Sequence, residues 1–328
     1  MPRTRRYDLA FNWAANRPTP FTDAVTESAR RHRIGVLPVG RGEVDAVRRR
    51  VERGRIGIGV FLNTQADGTS LESPSMRLAR VLKGRGALVL EDPDDAPVYA
   101  DRALQLEYLQ RAGLPVPQHL VLERGQSGGP VISAAARSAL GRTWAAVAAC
   151  GLGRRAAVIS TAQHVWPALA RSGFKRGQKI LVYRHLEPLA EGDMELRFRM
   201  WYLFGRIIPS WRRRDRSHFQ RMTLDDTGHD AFAQMIAMVR RCAEITGLDW
   251  FMTELLVTGS PRRQKVIVLE PPNPLAGLGP GVAVLSETSS EIMRLAAQRL
   301  VEVAWRRARG LPLLDGTGVW LAAGRSLS

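Results

Sequence analysis

The sequence predicts an α/β domain built on a parallel sheet, followed by a larger α+β region. Three observations lead there. Over the first hundred residues, short apolar runs alternate with amphipathic stretches, the pattern of strands joined by crossover helices that cover both sheet faces. In the second half, paired strands meet at tight turns on either side of a segment with helical spacing. Finally, 328 residues that are 45% hydrophobic and 24% charged can fill two or three cores, and no repeat of about 20–50 residues marks a solenoid.

Tyr7 to Trp13 reads as the first strand, Phe21 to Arg33 as a helix, Ile34 to Val39 as a strand and Gly42 to Arg53 as a helix. Ile56 to Leu62, Pro74 to Leu82 and Ala87 to Leu90 continue as strand, helix and strand. This small Rossmann-like unit lacks GxGxxG after its first strand, which disfavours a dinucleotide site. Glu91 to Pro97 is an acidic turn whose Asp95, or a neighbour, is expected to cap a helix over Tyr99 to Arg111. Gly113 ends that helix, and Pro115 and Pro117 extend the chain into a strand at His119 to Glu123 and a loop at Gly125 to Pro130. Trp144 to Ala149, Arg155 to Thr161 and Lys179 to Arg184 read as strands, with a helix around Gln163 to Arg171. Strands at Glu195 to Phe204 and Arg206 to Trp211 meet at Gly205, and Ala231 to Thr246 is helical. Trp250 to Val257 and Lys265 to Leu269 are strands split by the turn GSPRRQ, and a helix from about Glu287 to Arg309 closes the fold.

The net charge is +17 and the isoelectric point about 11.2, which favours polyanionic partners. Only Lys83, Lys175, Lys179 and Lys265 are lysines; the rest of the positive charge is arginine, dispersed and without a nucleic-acid reading motif, so nucleic acid is a disfavoured partner. Cys150 and Cys242 are too far apart in sequence for a CxxC site or a disulfide framework. No run of eighteen apolar residues occurs and the N-terminus lacks a clean apolar segment, so a cytoplasmic protein with no membrane span is expected. The six histidines lack HxxxH or HxH spacing, and no serine sits in GxSxG, which argues against zinc and serine-nucleophile chemistry.

Three features in the second half have the residue types that bind a nucleoside triphosphate with magnesium. Gly151 and Gly153, beside Arg154 and Arg155, would let backbone amides approach phosphate; an ordinary hairpin turn accounts for them equally well. Period two places Arg197 and Arg199 on one strand face with Trp201 and Leu203, where two guanidiniums suit a phosphate cluster, with Arg212, Arg213 and Arg214 just beyond; a solvated face is the competing reading. Asp249 and Glu254 on one strand, with Glu270 and Asn273 at the exit of the next, offer the hard oxygen ligands that magnesium prefers. A structural ion pair between Glu270 and an arginine is the alternative there.

These segments, in this order, resemble the ATP-grasp superfamily, and more particularly its RimK-like and glutathione-synthetase-like ligases. ADRALQLEYLQRAGLPVPQHLVLE, from Ala100 to Glu123, is similar to the opening of the family's central domain. KILVYRHLEP resembles the hinge strand that holds adenine, Glu195 to Arg214 the phosphate-contacting strand pair, and GLDWFMTELLV with VIVLEPPNPLAGLGPG the magnesium strands. The likeness spans about Tyr99 to Gly281 and implies an ATP-grasp fold behind a Rossmann-like domain. The implied limits are 1–97, 98–186 (glycine loop and hinge strand) and 187–328 (phosphate and magnesium strands).

The resemblance implies adenine contacts from Tyr183, Arg184, His185 and Leu186, with Glu187 near the ribose. It implies phosphate contacts from Arg197 or Arg199, with Arg212 just beyond as a further catalytic candidate, and magnesium held by Glu254, Glu270 and Asn273. Where the family has a lysine before its glycine loop, this chain has Ala148 and Ala149, so Lys179 at the hinge strand, Arg154 or Arg155 is expected to supply the charge. The family's Glu-x-Asn is lengthened to Glu270-Pro-Pro-Asn273. The implied function is an ATP- and Mg2+-dependent ligase that activates a small-molecule or peptide carboxylate as an acylphosphate for an amine-type acceptor. Asn12, Trp13, Arg17 and Asn63 are expected near the acceptor. A non-catalytic nucleotide-binding protein and a basic nucleic-acid binder are the alternatives, and self-association stays open.

Overall fold

The computed structural model describes residues 4–13, 20–63, 72–90, 92–95, 101–123, 134–141, 143–148, 157–160, 179–192, 194–213, 219–260, 262–273, 290–313 and 318–320. The expected helix at Gln163 to Arg171, the loop at Gly125 to Pro130, and Arg17, Cys150, Gly151, Gly153, Arg154, Arg155 and Arg214 lie outside the described residues, as do the side chains of Trp13 and Arg213.

The first sheet is parallel, in the order β2-β1-β3-β4, from β1 (Arg5–Trp13), β2 (Val36–Gly40), β3 (Ile56–Asn63) and β4 (Leu88–Leu90). Helices α1 (Pro20–His32), α2 (Val44–Glu52) and α3 (Pro74–Gly84) make the crossovers. On one face Val44, Val47 and Val51 of α2 and Leu78 and Leu82 of α3 pack on Ala10, Phe61 and Val89. Each such side chain contributes about 1.5–3 kcal/mol when fully buried. Period two sends Leu9, Phe11, Val60 and Leu62 to the other face. They meet Phe21, Val25 and Ala29 of α1 there, and also Ile292, Ala296, Leu300 and Val303 of α7 (Ser290–Ala308). The last long helix among the described residues therefore completes the core of the first sheet.

The second sheet is antiparallel, in the order β5-β8-β6-β7, from β5 (His119–Glu123), β6 (Thr143–Ala148), β7 (Ala157–Ser160) and β8 (Lys179–Arg184). It packs on α4 (Arg102–Arg111), whose Ala103 and Leu106 meet Ala145, Leu181 and Tyr183. The cap of α4 is not Asp95: the helix starts at Arg102, and the Asp101 carboxylate accepts from the Ala103 and Leu104 amides at 3.0 and 3.1 Å. Asp101→Ala is expected to cost about 1 kcal/mol, read as a lowered urea midpoint with an unchanged slope. A short helix, α5 (Ala134–Leu140), fills a stretch to which sequence patterning assigned no element.

The third sheet has the order β12-β11-β10-β13-β14, with β9 on β10 and β15 on β11. Its strands are β9 (Ala190–Glu191), β10 (Met194–Leu203), β11 (Arg206–Arg213), β12 (Phe219–Arg221), β13 (Trp250–Ser260), β14 (Arg263–Asn273) and β15 (Gly318–Val319). Helix α6 (Phe232–Thr246) covers one face, setting Met235, Val239 and Cys242 against Phe198, Met200, Leu255 and Val268. The opposite face places Trp201, Leu203, Trp250 and Met252 in the core shared with α7 and the first sheet.

The β13–β14 hairpin closes more tightly than GSPRRQ implied, since the strands run to Ser260 and resume at Arg263. Gly259 makes this closure: φ is +109°, and a Cβ there would stand 2.3 Å from the Arg263 carbonyl oxygen. Strand β14 also continues through Pro271 and Pro272 to Asn273, beyond the expected end at Leu269. It lies at the sheet edge, and a register shift between Met252 and Glu254 leaves Pro271 and Pro272 out of the ladder.

At the β10–β11 turn Phe204 and Gly205 both have positive φ, 49° and 83°. The turn is held from two sides. The Phe204 amide donates to the Asp249 carbonyl at 2.6 Å, and Arg299 of α7, fully buried, donates to the Leu203, Phe204 and Leu313 carbonyls at 3.3, 2.6 and 3.2 Å. No helix among the described residues is long and apolar enough to cross a membrane.

Candidate active site

Strand β13 runs between β10 and β14, and its register decides what meets at the centre of the third sheet. Glu254 stands opposite Arg199 on one side and opposite Glu270 on the other, so the three side chains share one face. Arg197, two residues earlier on β10, pairs with Leu256 on that face. Both guanidiniums converge on the Glu254 carboxylate. Arg197 donates Nε and Nη2 to Oε2 at 3.0 and 2.6 Å, and Arg199 donates Nε and Nη2 to Oε1 at 3.1 and 2.7 Å. The Glu254 and Arg199 side chains are 1% and 2% exposed, whereas Arg197 is 31% exposed and reaches the surface.

Neighbouring strands complete this arrangement. Phe219 of β12 lies under the Arg199 guanidinium, 4.0 Å from ring centroid to Cζ, and the Ser210 hydroxyl donates to the Arg199 carbonyl at 2.7 Å. The Thr253 hydroxyl donates to the Glu270 carbonyl at 2.6 Å, and Gln105 of α4 donates to the Pro272 carbonyl at 2.8 Å, fixing the end of β14 that carries Glu270 and Asn273.

The second sheet meets this face through Tyr183 of β8. Burial, and then the Glu270 carboxylate, push the Tyr183 hydroxyl well above its usual range; Arg197, Glu254 and Arg102 also act on it. Tyr183 is therefore a neutral phenol at pH 7. The Glu254 carboxylate raises Arg197 above its ordinary value despite partial desolvation, so Arg197 stays charged. Lys179, Leu181 and Tyr183 share one face of β8, and the register Ala148↔Ile180 sets Lys179 at the end of β6 where Ala148 replaces the expected lysine. Lys179 is exposed.

Not every expected residue joins this centre. Arg212 lies on the same face, one strand away, and leans toward Glu195 at 3.8 Å. Arg184 and Glu187 are exposed and His185 and Leu186 half-buried in the segment that leads from β8 toward β9. That segment is tied at both ends: the His185 amide donates to Thr143, and the Thr258 hydroxyl to the Glu187 carbonyl. Asp249 lies apart, at the β10–β11 turn, where burial raises its carboxyl. Arg102 and Phe219 escaped sequence reasoning. The signal for Arg102 was its position on the apolar face of α4, in step with Leu106 and Leu109; Phe219 carried none.

As a magnesium centre the expected trio does not fit. An ionised carboxylate has about four lone-pair sites, and Glu254 accepts four N–H groups. Glu270 and Asn273 lie at the end of β14. Among the described residues no three acidic, histidine or cysteine side chains gather as a metal site.

No protein-family model and no curated protein matches the chain. Solved structures do. A RimK domain ATP-grasp protein from Sphaerobacter thermophilus is 17% identical with a TM-score of 0.58, covering 88% of this chain and 97% of that one. The D-alanine–D-alanine ligase of Bacillus anthracis in complex with ATP is 10% identical with a TM-score of 0.58, covering 94% and 99%. The ATP-grasp ligase PsnB with a precursor peptide and AMPPNP is 12% identical with a TM-score of 0.58, covering 91% and 99%. At such identities the likeness is one of fold.

Proposed function

Starting from the premise that this chain has the ATP-grasp fold, with a parallel Rossmann-like sheet in front of two antiparallel sheets, we propose that it is an ATP-dependent ligase joining a carboxylate to an amine-type nucleophile. The observation that carries this reading is the pair of guanidiniums on β10, fixed on the sheet face that Tyr183 of β8 meets. Adenine lies along Tyr183, Arg184, His185 and Leu186, with Glu187 toward the ribose, and Lys179 and Arg197 reach the phosphates. The PsnB complex supports a peptide as one form of the carboxylate substrate.

A substrate carboxylate oxygen attacks the γ-phosphorus, the bond to the β-phosphate oxygen breaks, and ADP leaves. The amine then attacks the acyl carbon of the acylphosphate and expels inorganic phosphate, losing a proton to water. Arg197 and Lys179 oppose charge on the transferring group from fixed positions, so positioning and electrostatics supply the rate and no protein nucleophile is required. The acceptor enters where β1 and β3 end, beside Asn12, whose side-chain amide donates to Asn63 at 2.7 Å.

ADP release from ATP with pooled carboxylates and amines tests the reading. Release that requires both pools is expected. ATP-dependent thermal stabilisation without release would favour a nucleotide-binding protein that does not catalyse, the reading to which Ala148 and Ala149 lend support. Absence of any thermal shift with ATP would sink both.

A further inference from the structure

The fit of Glu254 to two guanidiniums has a charge consequence at the candidate site. Arg197, Arg199 and Glu254 sum to one positive charge, which Glu270 on the same face brings to zero, and all four Glu254 lone-pair positions face arginine N–H groups. A metal site of carboxylates is instead net negative before its ion arrives, which is what draws the ion in. Arg199 cannot turn away to release Glu254. It is 2% exposed, lies on Phe219, and sits mid-strand between β11 and β13. Arg197 spends Nε and Nη2 on Glu254, and its partly exposed guanidinium retains Nη1 for an incoming oxygen.

Resting on the ATP reading, we propose that Glu254 is a positioning residue rather than a metal ligand. It holds Arg197 at the surface, with the charge of Arg199 buried behind it, as a preformed cationic cradle in which Arg197 meets the phosphates and does there what a divalent ion otherwise does. Nucleotide binding to this site is then nearly independent of a divalent cation.

The test is calorimetric titration of ADP into the full chain with magnesium and again with EDTA. Replacing magnesium by EDTA is expected to weaken ADP binding less than about tenfold, because the guanidiniums remain in place. A larger loss overturns the inference while leaving the nucleotide reading intact, whereas no ADP binding in either buffer overturns that reading and the inference with it.

Arg199→Met, checked for folding by circular dichroism and thermal melting, provides a second arm. It frees one Glu254 oxygen and removes one cation. ADP affinity in EDTA is expected to fall about tenfold or more, with magnesium now restoring part of it. A folded Arg199→Met that binds ADP in EDTA as tightly as the parent protein would overturn the proposal, as would a loss of equal size in both buffers, which marks a merely structural arginine.

Discussion

Glu254→Ala will lower the folding free energy by about 3–5 kcal/mol, because it strands Arg199 inside the sheet without its counter-charge. Chemical denaturation reads this directly. Arg197 contributes little of the loss, since at 31% exposure it can turn toward water. The informative comparison is Arg199→Met combined with Glu254→Met. Removing both buried charges and filling their space with apolar side chains is expected to recover most of the stability that Glu254→Met alone loses. Nucleotide binding should not recover, since the cradle is gone. A double variant no more stable than Glu254→Met would show that the ion pair is not the source of the loss.

Arg299→Met carries the second large effect, again about 3–5 kcal/mol. The guanidinium of this fully buried residue links α7 to the Leu203, Phe204 and Leu313 carbonyls and pairs with Glu302 at 2.8 Å. Methionine fills much of the volume but leaves three carbonyls without this donor. Phe204 adds to the cost: a bulky residue at φ 49° is held in the left-handed region by its bonds to Asp249 and Arg299. The expected readout is a fall in melting temperature, with loss of the tryptophan signal of the shared core, where Trp201 and Trp250 are buried. A change under about 1 kcal/mol would mean that the turn is held by Asp249 alone.

Much of this fold was legible because its strands and helices announce themselves by period. The alternation in β10 placed Arg197 and Arg199 on one face, and the spacing of Val44, Val47 and Val51 gave the buried stripe of α2. What escaped depended on partners distant in sequence. Glu254 was recognised as a carboxylate beside an apolar run, but its neighbours, 57 and 55 residues earlier, follow from the register of β10 against β13. A structural ion pair with an arginine was the alternative considered at Glu270; Glu254 is the carboxylate that pairs with two. The cap of α4 was sought in the acidic turn, yet Asp101 alone stands next to the first free amides. Helix α5 has no polar–apolar period in its sequence to mark it, and the two prolines of β14 hid a strand that persists at the sheet edge through a shift in its pairing.

The placement of α7 bears on the order in which this protein can assemble during synthesis. The first sheet leaves the ribosome early, but Leu9, Phe11 and Val60 remain short of their cover until Ile292, Leu300 and Val303 have been made. Until α7 has been made the nascent chain thus carries an unfinished apolar surface, the condition under which folding helpers engage. Completion of that surface also fastens the Phe204 turn through Arg299, so the first sheet and this turn of the third become ordered together.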